Sequence, residues 1–297
     1  MSEIEEFDIK DWVEDAPTNR SNEKELRQAV HTILSAIASD SNLKANMILK
    51  GGILLAIRYK SHRFTTDIDF STEKPRGGEI TEDGVRKSLD SSLAQMVEEL
   101  DYALDCRVQS SKLQPKDRND RNSTYPSIKM TVGYAYKGTP QHKRLLSLQS
   151  PNTVSIDYSL NEATPNIEDL KLNFKESLLT YSLTDLIAEK YRSLLQQVSR
   201  NRSRRQDVYD LNLLIERFGD IDNFERSKIL NSLIIKSKAR LKIAPDINSF
   251  EDPELKSRAK KDYPSLKNEI EGELPDFDEL FQKVADFYRA LPWSLPY

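Results

Sequence analysis

Cysteine is almost missing from this chain, which has one in 297 residues. A lone thiol, Cys106, excludes an internal disulfide and any cysteine-built zinc cluster, and it fits a reducing cytosol. Histidine is nearly as scarce, and the three that occur are scattered, which argues against a His-rich metal site. No apolar run approaches about 18 residues, and the opening MSEIEEFDIK is acidic with no apolar core of a signal peptide. These absences predict a cytoplasmic chain with no membrane span and no secretion signal. A general excess of positive charge is lacking too. The net charge is -4, so any affinity for nucleic acid has to come from local basic patches. What remains is polar and globular, 37% hydrophobic and 31% charged, and long enough for one large or two ordinary domains.

Residues 1–20 are polar and read as a surface segment. Apolar residues at Leu26, Val30, Ile33, Leu34 and Ile37 recur at helical spacing. MILK at 47–50 is a short strand candidate, and Gly51-Gly52 permit a tight turn from strand into the helix of ILLAIRYK. TDIDFS at 66–71 reads as a strand. A helix is predicted from about Thr81 to Leu100, followed by three strands in YALDCRVQ, PSIKMTVGYAY and NTVSIDYSL. A polar, basic stretch from Lys112 to Arg121 separates the first two of them. After Pro165 helical patterns dominate, at 183–198, 206–218, 226–241 and 278–291. The parsimonious organisation is an α/β half, 1–165, and a helical half, 166–297.

The chemistry gathers in LKGGILLAIRYKSHRFTTDIDF, residues 49–70. Asp67 and Asp69 stand two apart in a strand, so they project from the same face while Ile68 points to the other. Two like charges side by side need a cation, and oxygen ligands at this spacing suit Mg²⁺ or Mn²⁺. A third carboxylate would complete a metal-binding face. Asp157 in VSIDYS is the first choice and Asp105 in YALDCRV the second. By itself a D-x-D pair more often marks a solvated strand face. The glycine turn upstream changes the weighting, because glycine backbone can approach a phosphate while metal ions hold it from the other side. In the helical half, Lys190 sits beside Glu189, and Arg200, Arg202, Arg204 and Arg205, with Arg192 nearby, form a basic cluster suited to a polyanion. Each of these cations alone is more often part of a solvated helix face; the cluster as a whole carries the weight. Asp207 follows the cluster and could orient one of its cations or act as a base; Asp210 approximately shares its face.

These residues resemble the opening motif of the AbiEii/AbiGii-type nucleotidyltransferase toxins, a group that includes the mycobacterial MenT toxins and belongs to the polymerase-β-like nucleotidyltransferase superfamily. The resemblance runs through Leu49, Lys50, Gly51, Gly52, Tyr59, Arg63, Thr65, Asp67 and Asp69. LIAEKYRSLL is similar to the family's Glu-Lys helix, with the functional lysine at Lys190, and RRQDVYDL to its Arg-Asp motif, with the functional aspartate at Asp207. Two positions depart from the pattern. Ile53 stands where Thr or Ser is usual, and Gln206 where an arginine commonly precedes the aspartate.

The resemblance implies an α/β (α+β) nucleotidyltransferase core with a mixed sheet, followed by an all-helical C-terminal domain that completes the active site. It implies Mg²⁺- or Mn²⁺-dependent transfer of a nucleoside monophosphate from an NTP, most simply to the 3′ end of a tRNA acceptor stem. Translation would be blocked, in a toxin–antitoxin or phage-defence setting with a cognate antitoxin. Asp67, Asp69 and Asp157 would bind metal, and Gly51 and Gly52 would hold the triphosphate through backbone N–H groups. Thr65, Lys190 and Arg63 would be phosphate or structural supports, and Arg200, Arg202, Arg204 and Arg205 would meet RNA. The alternatives are a protein hydroxyl or a small molecule such as an aminoglycoside as acceptor, or a binding module that keeps the fold without catalysis.

Overall fold

The structure is a computed structural model that describes residues 8–17, 22–115, 126–217, 221–238, 240–241 and 243–294. The described residues fall into two compact units. The first lies within 1–58, 65–162 and 168–180, the second within 59–64, 163–167 and 181–297.

In the first unit the elements run α1 (Ile9–Glu14), α2 (Glu23–Ser39), α3 (Ser41–Asn46), β1 (Ile48–Lys50), α4 (Gly51–Tyr59), β2 (Asp67–Ser71), α5 (Glu82–Glu99), β3 (Leu104–Gln114), β4 (Ser127–Tyr136), α6 (Pro140–Leu146), β5 (Thr153–Ser159), β6 (Ile167–Lys171) and β7 (Ser177–Tyr181). The strands form one sheet in the order β3-β4-β5-β2-β1-β7-β6. It is mixed: β2 runs parallel to β5 and β1 parallel to β7, while β1–β2, β3–β4 and β4–β5 are antiparallel. Helix α2 buries all five residues that its periodicity singled out. Helix α5 is capped by the Thr81 hydroxyl, which accepts from Gly84 N, and buries Val85, Leu89, Leu93, Met96 and Val97. Each such side chain contributes about 1.5–3 kcal/mol on leaving water.

Two stretches differ from the sequence reading. Within 1–20, Ile9–Glu14 is a helix rather than a surface coil; Asp8 caps it and Ile9 and Val13 enter the core. Beyond residue 165, β6 and β7 return to the sheet before the helices begin. At five residues each they are too short for alternation to stand out, and β6 is an edge strand that buries only Leu170. The start of the Lys112–Arg121 stretch belongs to β3. Its residues 116–121 lie outside the described residues.

The second unit is helical: α7 (Leu183–Arg200), α8 (Arg205–Arg217), α9 (Asn223–Lys238), α10 (Pro253–Lys260) and α11 (Phe277–Arg289), with short 3-10 turns at Ser249–Glu251 and Tyr263–Asn268. Its centre is aromatic. Tyr191 on α7 packs edge-on against Phe250, 5.3 Å between ring centroids, and donates its hydroxyl to Val284 O at 2.8 Å. Phe250 also lies 4.4 Å from the Tyr288 ring. The charged, proline-punctuated segment 243–275 therefore serves the core, since Phe250, Leu255, Ala259, Tyr263 and Leu266 are all buried. Among the described residues no helix is long and apolar enough to cross a membrane.

Candidate active site

Strand β2 alternates as a half-buried strand should: Ile68 and Phe70 are buried, whereas Asp67 is exposed and Asp69 half-buried on the opposite face. On β5, Val154, Ile156 and Tyr158 are buried and Asp157 lies on the half-exposed face. The parallel register pairs Asp69 with Asp157, so these carboxylates stand on neighbouring strands of one face, with Asp67 one step along β2. Asp157 is thus placed where the third carboxylate was sought. Asp105, the second choice, is on β3, two strands away from β5, where it accepts from Arg107 Nε at 3.0 Å and lies 2.9 Å from His142 Nε2.

The glycine turn meets the same face. Gly51 opens α4 with φ +75, a left-handed conformation that favours glycine. A Cβ built there would fall 2.1 Å from Asp69 Oδ2, so the carboxylate lies directly against the Gly51 backbone. Gly52 follows in the first turn of α4, which carries no acidic residue. Amides in a helix's first turn lack acceptors within the helix and favour anions. Ile53 is buried, so the position where a hydroxyl was expected feeds the core instead. Thr65 is occupied locally, its Oγ1 accepting from Asp67 N at 3.3 Å.

Two lysines lie in the same row. Lys129 on β4 pairs in register with Asp157, and its Nζ sits 2.9 Å from Asp157 Oδ2. Asp157 Oδ1 is buried with no hydrogen-bond partner. Lys50 on β1 pairs in register with Asp69, but its Nζ donates to Glu162 Oε2 at 2.5 Å, and the Ser71 hydroxyl donates to the same oxygen at 2.8 Å. The sequence reading missed Glu162, because it follows β5 in a turn and carries no pattern of its own. Among the described residues, no three His, Cys, Asp or Glu side chains are closed into a group that could hold a metal ion. The donor set nonetheless fits a hard cation. It is all oxygen, it shares one sheet face, and it includes an orphaned buried oxygen on Asp157.

The second unit holds the other candidates in a buried four-residue cluster. Lys190 donates to Asp207 Oδ1 at 3.1 Å and to Asp210 Oδ2 at 2.6 Å. Arg63 forks onto Asp210, with Nε 3.1 Å from Oδ1 and one terminal nitrogen 3.2 Å from Oδ2. Burial pulls the Asp210 carboxyl upward, but Arg63 and Lys190 outweigh it and hold its pKa below the ordinary value of 3.8. Burial likewise works against the Lys190 ammonium, yet Asp210 and Asp207 keep its pKa above 10.5. Asp207 Oδ2 is buried and unpartnered. Asp210, noticed in the sequence only as a helical neighbour of Asp207, is the anion at the centre of this cluster. Arg63 is committed to bracing it.

The basic cluster divides by burial. Arg192 is buried and bonded to Glu189 and to Gln196 Oε1, so it does not belong to an exposed polyanion surface. The spacing of a helix placed it on the inner face of α7. Arg205 is half-buried and paired with Glu269 Oε1 at 2.5 Å. Arg200 and Arg202 are exposed, and Arg204 is half-buried. Their loop is pinned to α10, where Arg258 donates to Asn201 Oδ1 at 2.6 Å.

A mixed sheet bearing a D-x-D strand, with a glycine turn against it and helices after it, is the fold of a nucleotidyltransferase. The chain matches the family described as "Nucleotidyl transferase AbiEii toxin, Type IV TA system" over residues 32–283, and it belongs to that family. The solved structure of JHP933 from Helicobacter pylori resembles it at a TM-score of 0.51 and 14% identity, covering 93% of this chain and 93% of that one, a likeness of fold. A candidate nucleotidyltransferase from H. pylori matches at a TM-score of 0.49 and 12% identity, covering 92% of this chain and 95% of that one. None of the curated proteins is matched by this sequence.

Proposed function

We propose that the chain transfers a nucleoside monophosphate from an NTP to RNA, at the 3′ end of tRNA, and so blocks translation unless an antitoxin restrains it. The observation that carries this reading is the pairing of Asp69 with Asp157 on adjacent strands, with the Gly51 backbone against the Asp69 carboxylate. In the reaction the acceptor hydroxyl oxygen bonds to the α-phosphorus, the bond from that phosphorus to the bridging oxygen breaks, and pyrophosphate leaves.

Asp67, Asp69 and Asp157 would hold Mg²⁺ or Mn²⁺, which when bound neutralises phosphate charge and polarises the reacting oxygens. Asp157 draws the proton from the acceptor hydroxyl. Gly51 and Gly52 direct backbone N–H groups to the triphosphate. Lys190 and Asp207 are assigned to catalysis because they match the family's lysine and aspartate. Arg200, Arg202 and Arg204 are assigned to the RNA backbone, with Arg205 supporting them from its pair with Glu269.

The test is incubation of the protein and its Asp69→Asn variant with Mg²⁺, each α-labelled NTP in turn, and total bacterial tRNA. Label enters tRNA from one or two nucleotides and is absent with the variant, whose melting temperature stays close to that of the parent. Label in a protein band or a small molecule, never in RNA, would move the acceptor to those classes. Full activity in folded Asp69→Asn protein would sink the assignment.

A further inference from the structure

Four charged residues cross the sheet in one row, Lys129 on β4, Asp157 on β5, Asp69 on β2 and Lys50 on β1, each in register with the next. Residues paired in register share a face, so two anions stand side by side with a cation at either end. The two lysines are held very differently. The Lys50 side chain is 11% exposed, and its Nζ donates to Glu162 Oε2. The Lys129 side chain is 44% exposed and reaches only one oxygen of Asp157, leaving Oδ1 buried and unpartnered.

We propose that Lys129 is an internal counter-cation for the third carboxylate, which yields Asp157 when a divalent ion is held there and thereby sets the affinity of the site for that ion. This rests on the reading of Asp67, Asp69 and Asp157 as the metal-binding face. An ion pair this exposed is worth little and is readily exchanged, because water and salt screen it and a long side chain must be ordered to form it. A divalent ion brings twice the charge and can bridge the neighbouring aspartates, which one ammonium on Asp157 cannot. Lys129 stands on β4, across β5 from the β2 aspartates, so its contact with Asp157 Oδ2 comes from the side away from them. Lys129 is a positioning residue in this scheme and touches no substrate.

The experiment counts free Mn²⁺ by electron paramagnetic resonance in titrations of the full chain, without nucleotide. Lys129→Met should tighten Mn²⁺ binding roughly two- to fivefold, the scale of an exposed ion pair. Lys129→Arg, which keeps the charge on Asp157, should bind Mn²⁺ like the parent. In an Asp157→Asn background, Lys129→Met should have no effect. Equal tightening in both backgrounds would reduce Lys129 to a general field effect and overturn the inference. So would unchanged binding in Lys129→Met when Asp157→Asn weakens it. If neither Asp69→Asn nor Asp157→Asn alters Mn²⁺ binding, the metal-binding face itself fails, and this inference with it. Thermal melts accompany each titration, and Lys129→Gln replaces Lys129→Met if the latter does not fold.

Discussion

Gly51 and Asp69 constrain each other, since a Cβ at 51 would fall 2.1 Å from Asp69 Oδ2. The left-handed turn at 51 sends the chain from β1 into α4, and the missing side chain leaves room for the Asp69 carboxylate. Gly51→Ala would meet both limits. The positive φ costs about 1–2 kcal/mol for an L-residue, and the new methyl would push the Asp69 carboxylate aside. The expected outcome is a modest fall in melting temperature with loss of nucleotide transfer nearly as complete as in Asp69→Asn. Melting and labelled-nucleotide transfer measured on the same preparation would show it; retained activity would mean that Asp69 tolerates displacement. Ile53 teaches a related lesson. In the sequence it is a departure from the usual Thr or Ser, whereas in the structure its buried side chain packs in the core.

Helices α7 and α8 are joined by charge as well as by apolar packing. Asp210 accepts from both Arg63 and Lys190, whereas Asp207 accepts from Lys190 alone. Asp210→Asn would leave two buried cations short of their anion and should cost about 3–5 kcal/mol. Asp207→Asn weakens a single charged hydrogen bond and should cost about 1.5–3 kcal/mol. Denaturant unfolding of the two variants should rank them in that order; the reverse ranking would move the centre of the cluster to Asp207. The depressed pKa of Asp210 has a definite pH signature. A carboxyl lowered on folding contributes stability that is present above its unfolded value, about 3.8, and that is lost as pH falls through the folded one. The parent should therefore lose stability below about pH 4 more steeply than Asp210→Asn.

At the scale of the whole molecule, a net charge of -4 sets the background against which any RNA contact has to work. The exposed cations at 200 and 202 would then act locally, through phosphate contacts that release counterions. Transfer to tRNA should fall steeply with added salt, and Arg202→Ala should weaken it while lowering the slope of log activity against log salt by about one. A slope unchanged by that variant would take Arg202 off the RNA path. A small acceptor would give little salt dependence at all.

What the sequence determined by itself were the pieces whose pattern repeats or whose residue types are unusual. The helical periods at 26–37 and 85–97, the alternation of β2, β5 and the first half of β4, and the same-face pair Asp67 and Asp69 follow from geometry internal to one element. Strands β6 and β7 were not legible because five residues hold too few alternations, and α1 because it owes its burial to packing against α2. Only the tertiary structure decided which third aspartate stands beside the pair, since that depends on β5 lying next to β2 in register. It also decided that Asp210 rather than Asp207 gathers the buried cations, and that Lys129 meets Asp157. Each of those outcomes is a contact between residues distant in the chain, and no period within one element encodes it.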